Sequence, residues 1–365
     1  MKRLGKVEEV AVMKHAFPYF YGALIGGAIG DALGAPIEFM RFEQVIGILG
    51  EHGVSEYIIP PGHKHALVTD DTQLMLFTAE GLIRSATRAH RKNKERTLEG
   101  ISIAVFRAYL RWLYTQGLQT ARWSRKDYDG WLVKVSRMHA YREPGVTCLT
   151  TLGKGVMGTL DKPVSDSLGC GCVMRVVPVG LVEEKERVFD VAIRLAAITH
   201  GNPTAYLSAG VLAYIIHEII EDKEIEDAVY AAKLRVSKEQ GSERVVEKID
   251  LALNLAHQGK PSRNQIDRIG NGFDAHEVLA RAIYAALSYP NDYLKGVLLG
   301  INHSGDSDSI GGITGCILGA YLGAQKISSD LIEKVELHRE IKELATDLIT
   351  FYQEGEEWLK KYPAW

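Results

Sequence analysis

Glycine recurs at every fourth position in two distant segments: Gly22, Gly26, Gly30 and Gly34 near the start, and Gly311, Gly315, Gly319 and Gly323 near the end. On an α-helix an i+4 spacing lines residues up on one face. Each glycine costs a helix about 1 kcal/mol relative to alanine, so four on one face call for a compensating close approach of another helix. Ala23, Leu24, Ala28 and Leu33 keep the helical period through the first segment. A dinucleotide-binding loop is superficially similar, but no buried strand precedes the segment and a lone glycine motif is a weak signal. A membrane span fits poorly, because Asp31 interrupts an apolar stretch that is already too short.

Each glycine segment has an acidic cluster near it, Thr69-Asp70-Asp71-Thr72 after the first and Asp306-Ser307-Asp308-Ser309 just before the second. Both combine two carboxylates with hydroxyls ahead of an apolar run, the pattern of a helix N-terminus, where partial positive charge and free N–H groups favour anions. Four carboxylates in one pocket repel each other and bind protons unless cations hold them. Carboxylate and hydroxyl oxygens are hard ligands, which points to Mg²⁺ or Mn²⁺ rather than zinc or copper. The competing reading is simple helix capping, since Ser, Thr and Asp are the commonest N-caps. An EF-hand does not fit: Ile310 stands where a third oxygen ligand belongs and Ile317 where the closing glutamate should be.

Most of the chain has apolar residues at helical spacing, in segments that include 19–34, 71–85, 102–116, 205–220, 275–288, 309–325 and 329–352. Alternating strands are few, and no glycine- or proline-containing break is long enough for an interdomain linker. The expected fold is all-α, a single compact multi-helix domain over residues 18–365, preceded by an extension at residues 1–17 that could be a partner-binding arm or a frayed end. With 43 basic and 46 acidic residues the net charge is −3, which gives no argument for nucleic acid or a membrane surface. No basic n-region precedes a sustained apolar run, so a cytoplasmic location is the default expectation. Cys148, Cys170, Cys172 and Cys316 fit a reducing compartment; the CxC spacing of the middle pair is wrong for a CxxC redox or zinc motif, and all four read as buried small residues. The basic run from Arg84 to Arg96 reads as a solvated loop or helix end.

Five strings in order along the chain closely resemble the ADP-ribosylglycohydrolases, the group of the dinitrogenase reductase-activating glycohydrolase and the ADP-ribosylhydrolases. They are GDALGAPIEF at 30–39, TDDTQLML at 69–76, GCGCVMRVVPVGL at 169–181, THGNPTAYLSAG at 199–210 and SGDSDSIGGITGCILGA at 304–320. The resemblance implies an all-helical fold with two divalent cations, Mg²⁺ or Mn²⁺, held by Thr69, Asp70, Asp71, Asp306, Asp308 and Ser309. It implies catalysis by Glu38, Asp70 and Asp308, with Glu38 activating water or protonating the departing side chain. It places Gly169, Gly171, Met174 and His200 against the diphosphate and distal ribose. The implied activity is metal-dependent removal of ADP-ribose from modified protein side chains, arginine foremost, with serine-linked ADP-ribose and O-acetyl-ADP-ribose as other linkages cut in the family. The implied partners are ADP-ribosylated protein and ADP-ribose. A second expectation from the same resemblance is an immunity protein that neutralises an ADP-ribosyltransferase toxin by direct contact.

Overall fold

The protein, as a computed structural model, is described over residues 14–120, 123 and 128–365. Most of the expected extension at residues 1–17 lies outside the described residues. At its end Lys14 is buried, with its Nζ 3.2 Å from Asp222 and over the Tyr321 ring.

In chain order the helices are α1 (Phe17–Gly34), α2 (Phe42–Leu49), α3 (Asp70–Arg91), α4 (Leu98–Thr115), α5 (Val146–Gly153) and α6 (Val177–Val182). Then follow α7 (Lys185–Ala197), α8 (Pro203–Ile220), α9 (Ile225–Val236), α10 (Glu243–Ala256), α11 (Arg263–Asp267) and α12 (Ala275–Ser288). The chain closes with α13 (Tyr293–Ile301), α14 (Ser307–Leu322), α15 (Ser329–Lys334), α16 (His338–Thr350) and α17 (Glu356–Lys361). Among the described residues there is no sheet, only two isolated bridges, Ala66 with Val335 and Gly169 with Asp274. The fold is all-α.

The glycine stripes explain the centre. Helices α1 and α14 lie against each other in opposite directions, backbone to backbone. A Cβ added at Gly22 would meet the Gly319 carbonyl oxygen at 2.2 Å, one at Gly26 the Gly315 oxygen at 2.4 Å, and one at Gly30 the Gly311 oxygen at 2.0 Å. No side chain fits there, so the glycines are required by contact rather than by turn geometry. Gly323 departs from the expected stripe: it follows the end of α14 with φ +77 and serves as its C-cap, the left-handed position that glycine occupies without strain. The Met174 thioether fills the space beside the pair, near Gly27 and Gly312, and the Tyr293 hydroxyl donates to the Gly26 carbonyl at 2.7 Å.

Helices α1 and α8 are apolar enough to cross a membrane by length and composition, yet each is 89% buried inside the protein, as core helices are. Helix α3 continues to Arg91, beyond the expected end at residue 85; His90, Arg91, Lys92 and Lys94 form the solvated helix end that the basic run suggests, while three of its arginines are tied down. Arg84 is buried beside Glu80 and bonded to Asp129 at 2.7 Å, Arg88 donates to the Trp365 carbonyl, and Arg96 pairs with Glu183 and Ser85. The single helix expected over 329–352 is broken into α15 and α16. There Ala66 donates to Lys334 O at 2.8 Å and Glu336 donates to Ala66 O at 2.9 Å, which draws the chain out straight, and Leu337 takes φ +62.

Candidate active site

The antiparallel contact sets the end of α1 beside the start of α14, and α3 begins at the same place. A Cβ at Gly34, the last residue of α1, would lie 2.4 Å from the Ser307 oxygen at the first turn of α14. Asp31, fully buried in α1, reaches the start of α3: its carboxylate accepts the N–H of Thr69 at 3.1 Å and of Thr72 at 3.3 Å, and the Thr72 hydroxyl as well. Thr69 is the N-cap of α3 and accepts the Asp71 N–H at 3.2 Å; Asp306 is the N-cap of α14 and accepts the Ser309 N–H at 3.2 Å. The capping reading and the metal-ligand reading of these clusters are compatible, since the cap Asp306 also belongs to the group of carboxylates that converge with Glu38 and Asp308.

The clusters meet directly. The Ser309 hydroxyl donates to Asp71 Oδ2 at 2.6 Å. Oxygens of Glu38, Asp306 and Asp308 all lie within 4.8 Å of one another, because the short 3₁₀ turn Ala35–Ile37 that continues α1 brings Glu38 back over the start of α14. Asp70 is fixed from another side: its N–H donates to the Arg142 carbonyl at 3.2 Å and its Oδ2 accepts the Gly145 N–H at 3.2 Å.

Burial and mutual repulsion push every one of these carboxyls up. Burial and then Asp308 raise Asp31 to about 7 and Asp71 to about 8. Glu38, half-buried, is pushed up to about 10 by desolvation and then by Asp308, Asp306, Asp71 and Asp70. Asp70 and Asp308 stand well above the ordinary carboxylate range, and Asp306 is raised, all chiefly by burial. Asp308 Oδ1 is buried with no hydrogen-bond partner. A buried oxygen without a donor, inside a set of hard oxygens that cannot all ionise alone, is the donor chemistry of a divalent-cation site. Thr69, Asp70, Asp71, Asp306, Asp308 and Ser309 fit that role, with Glu38 at their edge.

Beside the acids, the loop at Gly169–Gly171 faces His200. A Cβ at Gly169 would lie 3.8 Å from His200 Nε2, and one at Gly171 3.8 Å from its Cε1. Arg175 donates to Thr199 Oγ1 at 2.8 Å, and the same hydroxyl lies 2.8 Å from His200 Nδ1, so the tautomer with its proton on Nε2 has its Nδ1 served by the Thr199 hydroxyl. Burial, helped by Arg175, lowers His200 to about 3. It is a neutral imidazole whose Nε2 edge faces a glycine loop, an arrangement that suits anionic oxygens when the proton is on Nε2. Met174 is not brought to this surface: its side chain is buried between α1 and α14.

Three residues escaped the reading of the sequence as site residues. In the sequence Asp31 is a charge that interrupts an apolar helix, and that interruption is itself the signal. Arg175 is wholly buried, stacks 4.5 Å over the Tyr109 ring and binds the Leu195 and Ala196 carbonyls at the end of α7; a lone arginine in an apolar run carries the same signal. Cys170 is not a buried small residue like Cys148, Cys172 and Cys316. It is partly exposed, with its thiol 2.7 Å from Asp306 Oδ2, and nothing in the sequence distinguished it.

The family model described as ADP-ribosylglycohydrolase matches residues 17–357. An uncharacterised protein of Archaeoglobus fulgidus is 27% identical over 90% of this chain and 95% of its own length. An ADP-ribosylarginine hydrolase of Serratia proteamaculans is 25% identical, covering 92% of this chain and 80% of the relative. The ADP-ribosyl-[dinitrogen reductase] glycohydrolase of Rhodospirillum rubrum is 22% identical over 88% of this chain and 92% of its own length. A solved chain titled "ADP-ribosylglycohydrolase-related protein complex" superposes with a TM-score of 0.60 at 22% identity, over 93% of this chain and 99% of the other, a likeness of fold.

Proposed function

This chain belongs to the ADP-ribosylglycohydrolase family and is a hydrolase of that class, and from that premise we propose that it removes ADP-ribose from modified arginine side chains with the help of two divalent cations, Mg²⁺ or Mn²⁺. The observation that carries the proposal is the junction of the two acidic clusters around Glu38, with Asp308 Oδ1 lacking any donor. Arginine is favoured over serine because relatives from Serratia proteamaculans and Pseudomonas putida, each aligned over at least 90% of this chain, are named ADP-ribosylarginine hydrolases.

Cations held by Thr69, Asp70, Asp71, Asp306, Asp308 and Ser309 would supply Lewis-acid polarisation and charge neutralisation in the pocket. The chain's own residues do the rest. The carboxylates offset the positive charge that develops on the ribose as the glycosidic bond to the guanidinium nitrogen breaks. Glu38, protonated more readily than an ordinary glutamate, exchanges a proton at its carboxyl: it gives one to the departing nitrogen or takes one from the water that adds to the same ribose carbon. The Gly169–Gly171 backbone and the His200 Nε2–H hold the diphosphate side of the ligand.

The test is ADP-ribose release from arginine-modified and serine-modified protein with Mn²⁺, with Mg²⁺ and with EDTA. Release from arginine that stops in EDTA, and falls by roughly 10²–10⁴ in Glu38→Gln, is the expected result. Release from serine alone would move the chain to the other linkage. Release undiminished by EDTA would overturn the metal reading.

A further inference from the structure

Arg142 has two roles. Its carbonyl accepts the Asp70 N–H, and its side chain lines a second cavity of about 260 Å³. The cavity is walled by His63, Lys64 and His65 from the segment before α3, Arg137 and Arg142 from the segment before α5, and one acid, Glu336. Glu336 is already engaged: Oε1 takes Arg142 Nη2 at 3.1 Å and Oε2 accepts the Val68 N–H at 3.4 Å. Arg137 has Glu340 at 3.8 Å. Those pairings explain the two arginines as structural ties, but they leave exposed Lys64 with no ion pair among the described residues. They also leave Arg142 Nε buried without a hydrogen-bond partner.

The remaining neighbours add positive character. The His65 ring lies 5.5 Å from that of His338, whose Nδ1 is spent on the Val335 carbonyl at 3.0 Å. Helix α16 starts at this edge, with Leu337 as an N-cap that supplies no side-chain acceptor, so the free N–H groups of its first turn add partial positive charge. His65 is held below its ordinary value first by desolvation and then by His338 and Arg137, with Glu336 opposing them.

We infer that this cavity is an oxyanion site that takes a phosphate group, separate from the acidic centre and bounded from it by the segment that carries Arg142. Its size decides the class of ligand. At about 260 Å³ it falls below the range of sites for drug-sized molecules, so it accepts inorganic phosphate or the phosphate end of a small monoester and not a whole nucleotide sugar. Lys64 Nζ is the free cationic donor that an oxyanion would meet, a charge-assisted bond stronger than a neutral one, with the ring N–H groups of His63 and His65 beside it in the wall.

Calorimetric titration of the full chain with inorganic phosphate, in EDTA so that no cation holds the anion elsewhere, tests the inference, and histidine ring resonances locate the ligand. Saturable binding that moves His65 and His338 and leaves His200 in place is the expected result. Lys64 is exposed, so Lys64→Ala leaves the fold intact and weakens binding by roughly tenfold or more, while Lys64→Arg restores it. A parallel titration with glycerol phosphate tells the sources apart: tighter binding of the ester assigns an esterified ligand, tighter binding of phosphate the free anion. Absence of saturable binding, equal affinity in Lys64→Ala and the unaltered protein, or shifts confined to His200 would overturn the inference.

Discussion

The Ser309 hydroxyl donates to Asp71 Oδ2 at 2.6 Å, joining residues 238 positions apart in the chain. This bond closes the site, because Ser309 belongs to the first turn of α14 and Asp71 to the first turn of α3. Ser309→Ala removes both the hydrogen bond that satisfies a buried Asp71 oxygen and one candidate ligand. We expect a loss of about 1.5–3 kcal/mol in stability and a cation affinity weaker by roughly tenfold or more, read by calorimetric titration with Mn²⁺. Unchanged Mn²⁺ affinity would show that Ser309 serves the fold alone.

The raised carboxyls make a prediction about pH. Without a cation, Asp31 stands at about 7 and Asp71 at about 8, against an ordinary 3.8. Across that window the folded chain holds protons that the unfolded chain has released, so stability is present at low pH and declines as pH rises from 3.8 toward about 8. A divalent cation binds the ionised carboxylates and reverses the trend. Thermal melting in EDTA should therefore give a Tm that falls with pH over this range, while the increment from added Mn²⁺ grows. A Tm in EDTA that is flat or rises across the window would contradict the geometry.

Asp31 is a positioning residue, set behind the first turn of α3. Its oxygens are spent on Thr69 N–H, Thr72 N–H and the Thr72 hydroxyl. Asp31→Asn turns an amide N–H toward donors that need an acceptor. The first turn of α3 shifts, and Mn²⁺ affinity falls by roughly 10–100-fold although no ligand has been removed. The readout that separates positioning from general damage is rescue: excess Mn²⁺ should return hydrolysis toward the unaltered rate in Asp31→Asn and fail to do so in Asp308→Ala.

Much of this architecture was legible because it is written in spacing. The i+4 glycines of α1 and the matching ones of α14 announce a helix face with no side chains, and the paired acids announce two helix starts. What spacing cannot supply is which distant segment supports which. Asp31 reaching across to Thr69, Arg142 offering its carbonyl to Asp70, and Ala66 splitting the expected helix over 329–352 are tertiary contacts with no local signature. The charge run hid a mixture: Arg84, Arg88 and Arg96 find buried or terminal partners that a charge count reads as solvent, while Arg91, Lys92 and Lys94 are exposed as it reads them. Met174 sits near the end of the string GCGCVMRV with its side chain in the core, so that only its backbone can serve the loop.

Two glycine substitutions test the close approach from opposite sides. At Gly30 a Cβ would lie 2.0 Å from the Gly311 oxygen and 2.4 Å from its carbonyl carbon, both main-chain atoms that cannot turn aside. Gly30→Ala must push α1 and α14 apart, at a cost of about 3 kcal/mol, and the displacement separates Glu38 from Asp306 and Asp308. Gly47, on the exposed face of α2, has nothing within 4 Å. Gly47→Ala gains helix propensity with no contact to lose, so it should stabilise by about 0.5–1 kcal/mol. Urea midpoints moving in opposite directions, with Mn²⁺ binding lost in the first variant and kept in the second, are the expected pair of results. Equal tolerance of alanine at both positions would mean that the two helices are not in backbone contact.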